Sequence, residues 1–238
     1  MDDTFEAAAF PAQTASRTMA SSLEGLLRRD IISGELPPGS RLRVRELAEK
    51  YESGPIPVRE ALSRLSTGGF VIAVDQKGFR VADISLDELA DITRTRQDIE
   101  RLAITKAIRR RDTKWEGEVL AAHHLLRNIP AYEATDAQRI NPAWERAHDA
   151  FHAKLVDGSG STWLAHFCGI LRVQTARYRQ LSVTAPRSEE RDAPAEHARI
   201  VEAVMSHDVD LAVSLLADHF ERTARLVAEA LSRQKKNI

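Results

Sequence analysis

Four of the eight histidines in this 238-residue chain are spaced so that they could hold a metal ion. His148 and His152 stand four apart, so on a helix they project from one face, beside Phe151 and Leu155. His197 falls in line with Ile200, Val201 and Val204, and His219 with Leu215, Leu216, Thr223 and Leu226. A lone histidine on an apolar face is ordinarily a core residue with a hydrogen-bond partner. Four on the inner faces of three helices favour a metal site inside a helical bundle. His123 and His124 are adjacent and diverge, while His166 and His207 lie off the apolar stripes.

A second group with chemical promise is Arg96. It interrupts an inward stripe of Leu89, Ile92, Ile99 and Ala103. A buried guanidinium is costly unless paired, so an anion is expected to meet it. The alternative is an arginine at the rim, reaching solvent or a neighbouring helix.

Helical periodicity over Leu86–Arg111, Ala143–Val156, Ser161–Ser182, Pro194–His207 and Asp208–Arg233 supplies the elements that must position these groups. Residues 85–238 read as about six helices. The Ser161–Ser182 stretch carries an inward stripe at Leu164, Phe167, Leu171, Gln174, Tyr178 and Leu181, with polar groups in its second half.

The texture before residue 85 differs. Residues 1–17 show no sustained period and read as a flexible arm. Met19–Ser33 suits an amphipathic helix, stopped by Gly34 and the Pro37-Pro38-Gly39 turn. A short helix follows over Val44–Tyr51. Pro55 and Pro57 cannot sit inside a helix, but the first turn tolerates both, so a third helix starts near Pro55 and runs to Thr67. Phe70–Ala82 alternates on either side of Asp75-Gln76-Lys77-Gly78, which signals a hairpin. Three helices and a hairpin in residues 18–84 make a winged helix-turn-helix, whose third helix can enter the major groove of DNA. The fold class expected is therefore mainly α: this unit, then an all-α bundle over 85–238.

Composition excludes several other classes. No apolar run approaches the roughly 20 residues that span a bilayer. The acidic amino terminus lacks the pattern of a signal peptide, and a single cysteine cannot form an intramolecular disulfide, which fits a cytoplasmic protein. The net charge of −1 argues at first against nucleic acid. Residues 17–84 nevertheless carry a net +2, residues 85–238 balance at zero, and three acids before residue 17 account for the rest.

The stretch IISGELPPGSRLRVRELAEKY…PVREALSRLSTGGFV…KGFRV resembles the DNA-binding domain of GntR-type bacterial transcription regulators. That resemblance implies DNA contacts at Arg45 in the second helix, Arg59 in the third, and Lys77-Gly78 at the wing tip. With Arg43, Ile56, Pro57 and Ser63 these form the candidate DNA-reading set. Gly54-Pro55-Ile56 replaces the Ser-Arg-Thr of many members, so one base-reading arginine is absent.

Residues 85–238 resemble the helical ligand-binding domain of the FadR-like branch of that family. Arg96-Gln97-Asp98-Ile99-Glu100 matches its R-x-x-[LI]-E helix, and Phe151-His152, Glu196-His197 and His219 fall where that branch places its metal histidines. The first ligand there is commonly Asp; here it is His148. An all-imidazole set favours Zn2+ or Ni2+ over a harder ion. The run Gln174-Thr175-Ala176-Arg177-Tyr178-Arg179 is similar to a narrower group that responds to small carboxylates.

The resulting expectation is a homodimeric repressor of operator DNA. A small carboxylate at the metal, held also by Arg96, Gln174, Arg177 or Tyr178, controls it. A regulator that senses the metal ion itself is the nearer alternative. A metallohydrolase is the more distant one, since no acid stands as in H-E-x-x-H and Asp149 points off the stripe.

Overall fold

The computed structural model describes residues 19–75, 77–136, 139–183 and 191–234. The arm read over 1–17 and Gln76 of the hairpin turn lie outside them.

The first unit is built from α1 (Met19–Ile32), β1 (Arg41–Leu42), α2 (Val44–Lys50), α3 (Pro55–Thr67), β2 (Val71–Val74) and β3 (Gly78–Val81). The two prolines of α3 occupy its first turn, whose amides need no helical partner, and Gly68 closes its far end. Leu23, Leu27, Leu47, Val58, Leu62, Leu65 and Phe70 form one apolar core beneath the three helices. The sheet has one strand more than the expected hairpin. β1 pairs antiparallel with β3, giving the order β1-β3-β2. Gly78 turns the hairpin with φ +90°, a conformation that glycine adopts freely. Asp30, buried on α1, accepts hydrogen bonds from Tyr51 (2.6 Å) and Lys50 (3.0 Å), which ties α1 to the end of α2. Burial pushes the Asp30 carboxyl up, but these two donors outweigh it and hold it below its usual value.

The second unit holds six helices among the described residues: α4 (Leu86–Arg110), α5 (Thr113–Arg127), α6 (Pro142–Asp157), α7 (Thr162–Val183), α8 (Ala193–Met205) and α9 (Val209–Gln234). Each of the first three and α8 begins on a side-chain cap, from Ser85, Asp112, Asn141 and Asp192. Ile104, Ile108, Phe151, Leu155, Ile200, Val204 and Leu216 are buried together, so α4, α6, α8 and α9 share one core. On α4 the buried face is Leu89, Thr93, Arg96, Glu100 and Ala103; the expected Ile92 and Ile99 are only half-buried. On α7, Phe167 is not inward as its spacing suggested but 44% exposed, while Cys168 beside it is fully buried. Among the described residues no helix is long and apolar enough to cross a membrane.

Candidate metal centre, cavity and nucleic-acid interface

The helix caps and apolar faces just described fix where the histidines meet. His148 and His152 point from one face of α6, His197 comes from α8 and His219 from α9, all buried. Their ring centroids lie 4.5–5.5 Å apart for His148–His152, His152–His197, His197–His219 and His152–His219, and one nitrogen from each lies within 4.8 Å of the others. The four-histidine cluster is therefore as the spacing implied. Burial is the main cause holding all four well below the usual imidazole range, and His219 sits at about 4. At neutral pH they are uncharged, with a lone pair on each ring, which is the state that binds metal.

The supporting shell is unequal. His219 Nδ1 donates to the Glu196 carboxylate at 2.8 Å, leaving Nε2 as the ligand nitrogen, and Arg191 in turn grips Glu196 at 2.7 Å. His148 accepts at Nδ1 from Arg179, a buried guanidinium that also meets Glu145 at 3.0 Å. Both ring nitrogens of His152 and Nε2 of His197 are buried with no hydrogen-bond partner.

The cluster forms one end of a cavity of about 640 Å3. His148, His197 and His219 reach its wall, together with Arg96, Arg179, Arg191, Thr175 and Tyr178. Arg96 is 5% exposed, so it is interior rather than at the rim. The anion that meets it belongs to its own helix: Nε donates to Glu100 at 2.5 Å, NH1 donates to Thr175 at 3.1 Å, and the guanidinium lies 3.9 Å over the Phe220 ring. Its NH2 is buried without a partner. Glu100 is the acid of the R-x-x-[LI]-E motif, and its i+4 relation to Arg96 is the signal for the pair.

Tyr178 lines the cavity as expected, but two of its neighbours do not. Gln174 donates to the Gly68 carbonyl, and Arg177 donates to Glu88 and, at 3.5 Å, to the Gly69 carbonyl. Gln174 therefore binds the winged unit, and Arg177 binds both that unit and the start of α4. The stripe that carries Gln174 inward faces the bundle only in part, because the middle of α7 packs on the winged unit at α1 and the Gly68-Gly69 turn, with Val173 against that core. Arg179 and Arg191 take their places on the cavity wall. Arg179 ends the Gln174–Arg179 run, whereas Arg191 sits in a segment with no helical period.

The candidate DNA-contact residues, Pro57 apart, lie on the surface. Arg45 and Arg59 line one shallow groove between α2 and α3. Arg45, Arg59, Ser63, Lys77 and Gly78 are exposed, and Ile56 is 77% exposed at the head of α3. Pro57 is half-buried beside it. Arg43 is exposed and paired with Glu46 at 2.6 Å. Arg41 donates to the Lys77 carbonyl at 3.2 Å, so β1 steadies the wing tip.

A winged helix-turn-helix joined to a helical bundle with a ligand-sized, histidine-lined cavity defines a class, the one-component transcription regulators. Residues 19–81 match the bacterial regulatory proteins of the gntR family, and residues 91–222 match the FCD domain. The chain is 34% identical over 218 residues to the HTH-type transcriptional repressor GlaR of Escherichia coli, covering 89% of this chain and 98% of that one. It is 32% identical over 203 residues to the HTH-type transcriptional regulator BphR of Paraburkholderia xenovorans, covering 85% and 82% of the two chains. The solved structure of McbR/YncC from E. coli superposes with a TM-score of 0.71 at 20% identity, over 89% of this chain and 97% of that one. The chain belongs to the GntR family, in the FadR-like branch that carries an FCD domain; it is a DNA-binding transcription regulator and not an enzyme.

Proposed function

We propose that this regulator is a homodimeric repressor, working in the cytoplasm on operator DNA, whose grip is set by a small carboxylate bound beside a metal ion in the bundle. The observation that carries the effector is the unpartnered NH2 of Arg96, a buried donor on the wall of a cavity closed by neutral imidazoles. Leaving such a donor unmade costs about 1–3 kcal/mol, which an anionic ligand would recover. Three orphaned imidazole nitrogens, on His152 and His197, fit a metal in the same way. His148, His152, His197 and His219 would hold it, and four imidazoles suit Zn2+ or Ni2+. When bound, the ion supplies Lewis-acid attraction for a carboxylate oxygen. Arg96 and Tyr178, with Thr175, Arg179 and Arg191, orient the rest of the effector.

Helix α7 links that event to DNA. Tyr178 lines the cavity, yet its hydroxyl donates to Glu88 and reaches the Ser85 carbonyl at 3.4 Å, where α4 leaves the winged unit. Burial, with Glu88 as the second cause, pushes this hydroxyl up to about 12, so it remains a donor. A ligand that moves Tyr178 would shift the winged unit through Gln174 and Arg177. Two such units on one operator need a fixed separation, and changing it releases DNA. The repressor sense is supported by GlaR, a repressor by name.

The test is a thermal-shift screen against mono- and dicarboxylates, followed by gel shift on the chain's own promoter. Wild type is expected to gain several degrees with the effector, and Arg96→Ala to gain none. A regulator that senses the ion alone would be stabilised by metal with no dependence on Arg96.

A further inference from the structure

Helix α3 opens on an apolar knob that faces solvent. Ile56 is 77% exposed, more than any other large apolar side chain among the described residues, and Pro55 beside it is exposed as well. Arg59 and Ser63 follow at i+3 and i+7, both exposed, so the three side chains form one line down the helix. Arg64, one turn further on, is engaged by Glu60 at 2.5 Å and Ser21 at 2.9 Å, whereas Arg59 enters no ion pair among the described residues. The head of the helix is poor in hydrogen-bond donors. Pro55 and Pro57 remove two of the amides that a first turn leaves free, and the Val58 N–H already reaches the Gly54 carbonyl at 3.4 Å. Gly54, the N-cap, adds no side-chain group. This end of α3 is therefore a weak seat for a phosphate, which helix N-termini bind through their free amides.

We propose that Ile56 reads a thymine of the operator through the C5-methyl group of that base. The proposal rests on α3 being the helix that enters the major groove, where the N-terminal residues of such a helix meet base edges. An alkyl side chain has neither donor nor acceptor, so it cannot take part in hydrogen-bond readout. Thymine is the one unmodified base with an apolar group on its major-groove edge, and an exposed Ile matches that group. The knob is also stiff. Ile is branched at Cβ and holds one main rotamer in a helix, and the prolines on either side fix the backbone. Little freedom is then lost on contact. Arg59, on the same line, carries the charge that holds the helix to phosphate or to a guanine edge. The two side chains divide the work: one cation for grip and one methyl-sized contact for base identity.

The test takes the full chain and a duplex it selects from a random pool. Each thymine of the selected sequence is replaced in turn by deoxyuridine, which lacks only the methyl group, and Kd is read by fluorescence anisotropy at fixed salt. Wild type is expected to lose about fourfold at one such thymine, the effect of one buried methyl. Ile56→Ala is expected to bind the thymine and uracil duplexes alike, and Ile56→Val to keep a preference for thymine. Ile56 lies outside the apolar core, so neither change disturbs folding. Arg59→Ala is expected to weaken binding to both duplexes by about tenfold or more. If Arg59→Ala changes nothing, α3 is not in the groove, and the proposal falls with that reading. A wild type indifferent to deoxyuridine at every thymine, or a preference that survives Ile56→Ala, overturns the role of Ile56 alone.

Discussion

Both nitrogens of His152 are buried without a hydrogen-bond partner, and a metal ion that takes the ring's lone pair would compensate one of them. Purified wild type is accordingly expected to carry about one metal per chain by elemental analysis, and His152→Ala or His197→Ala to lose it. The cluster also sets an acid limit on the metal-free protein. His219 sits at about 4, below the ordinary 6.5, so the unfolded chain takes the proton first as pH falls. The stability this gives is complete above about pH 6.5 and lost as pH falls through 4, on the order of 3 kcal/mol over that span. Calorimetry of the metal-free protein should show the melting temperature dropping across that window, and His219→Gln should make the drop shallower, the other three buried imidazoles keeping part of it. Periodicity alone placed these four side chains, because each stands in register with several core residues. The same periodicity marks Arg96 but not the burial of Glu100, because an acid off the apolar stripe is buried only where one arginine neutralises it.

Helix α7 shows where such reading fails. Its stripe was drawn from apolar and long side chains at helical spacing, but the helix has three environments along one face: core, cavity and the winged unit. Gln174 and Arg177 were assigned to the cavity and instead hold Gly68, Gly69 and Glu88, a contact between units distant in sequence that no periodicity can reveal. Tyr178→Phe keeps the cavity wall and removes the hydroxyl that reaches Ser85 and Glu88. That variant is expected to bind effector within a few-fold of wild type, while the effector's effect on operator affinity, read by gel shift, falls at least tenfold. In the winged unit, by contrast, chemistry marked the elements directly: two prolines located the start of α3, and glycine at +90° the wing. The two-residue β1 is too short to leave a pattern. Asp30→Ala there leaves Tyr51 and Lys50 without their acceptor and should cost about 1–3 kcal/mol in urea denaturation.

Net charge was a poor guide to what the chain does, because the sum over 238 residues conceals where the arginines lie. Arg45 and Arg59 share one groove although the winged unit is only slightly basic. If Arg43, Arg45, Arg59 and Lys77 of each copy all meet phosphate, the logarithm of affinity should fall against that of salt with a slope of roughly −7. Inserting half a helical turn between the two half-sites should abolish the shift seen on the native promoter, since two joined copies cannot follow the rotation. One further property follows from Cys168. It is the chain's single cysteine, fully buried, with its thiol pushed up to about 12 by burial. The protein is therefore blind to thiol reagents in its native state. A spin label or fluorophore introduced through Ser63→Cys on α3 would report from that site alone, and in the proposed dimer the distance between the two labels could be followed as an effector is added, with no background to subtract.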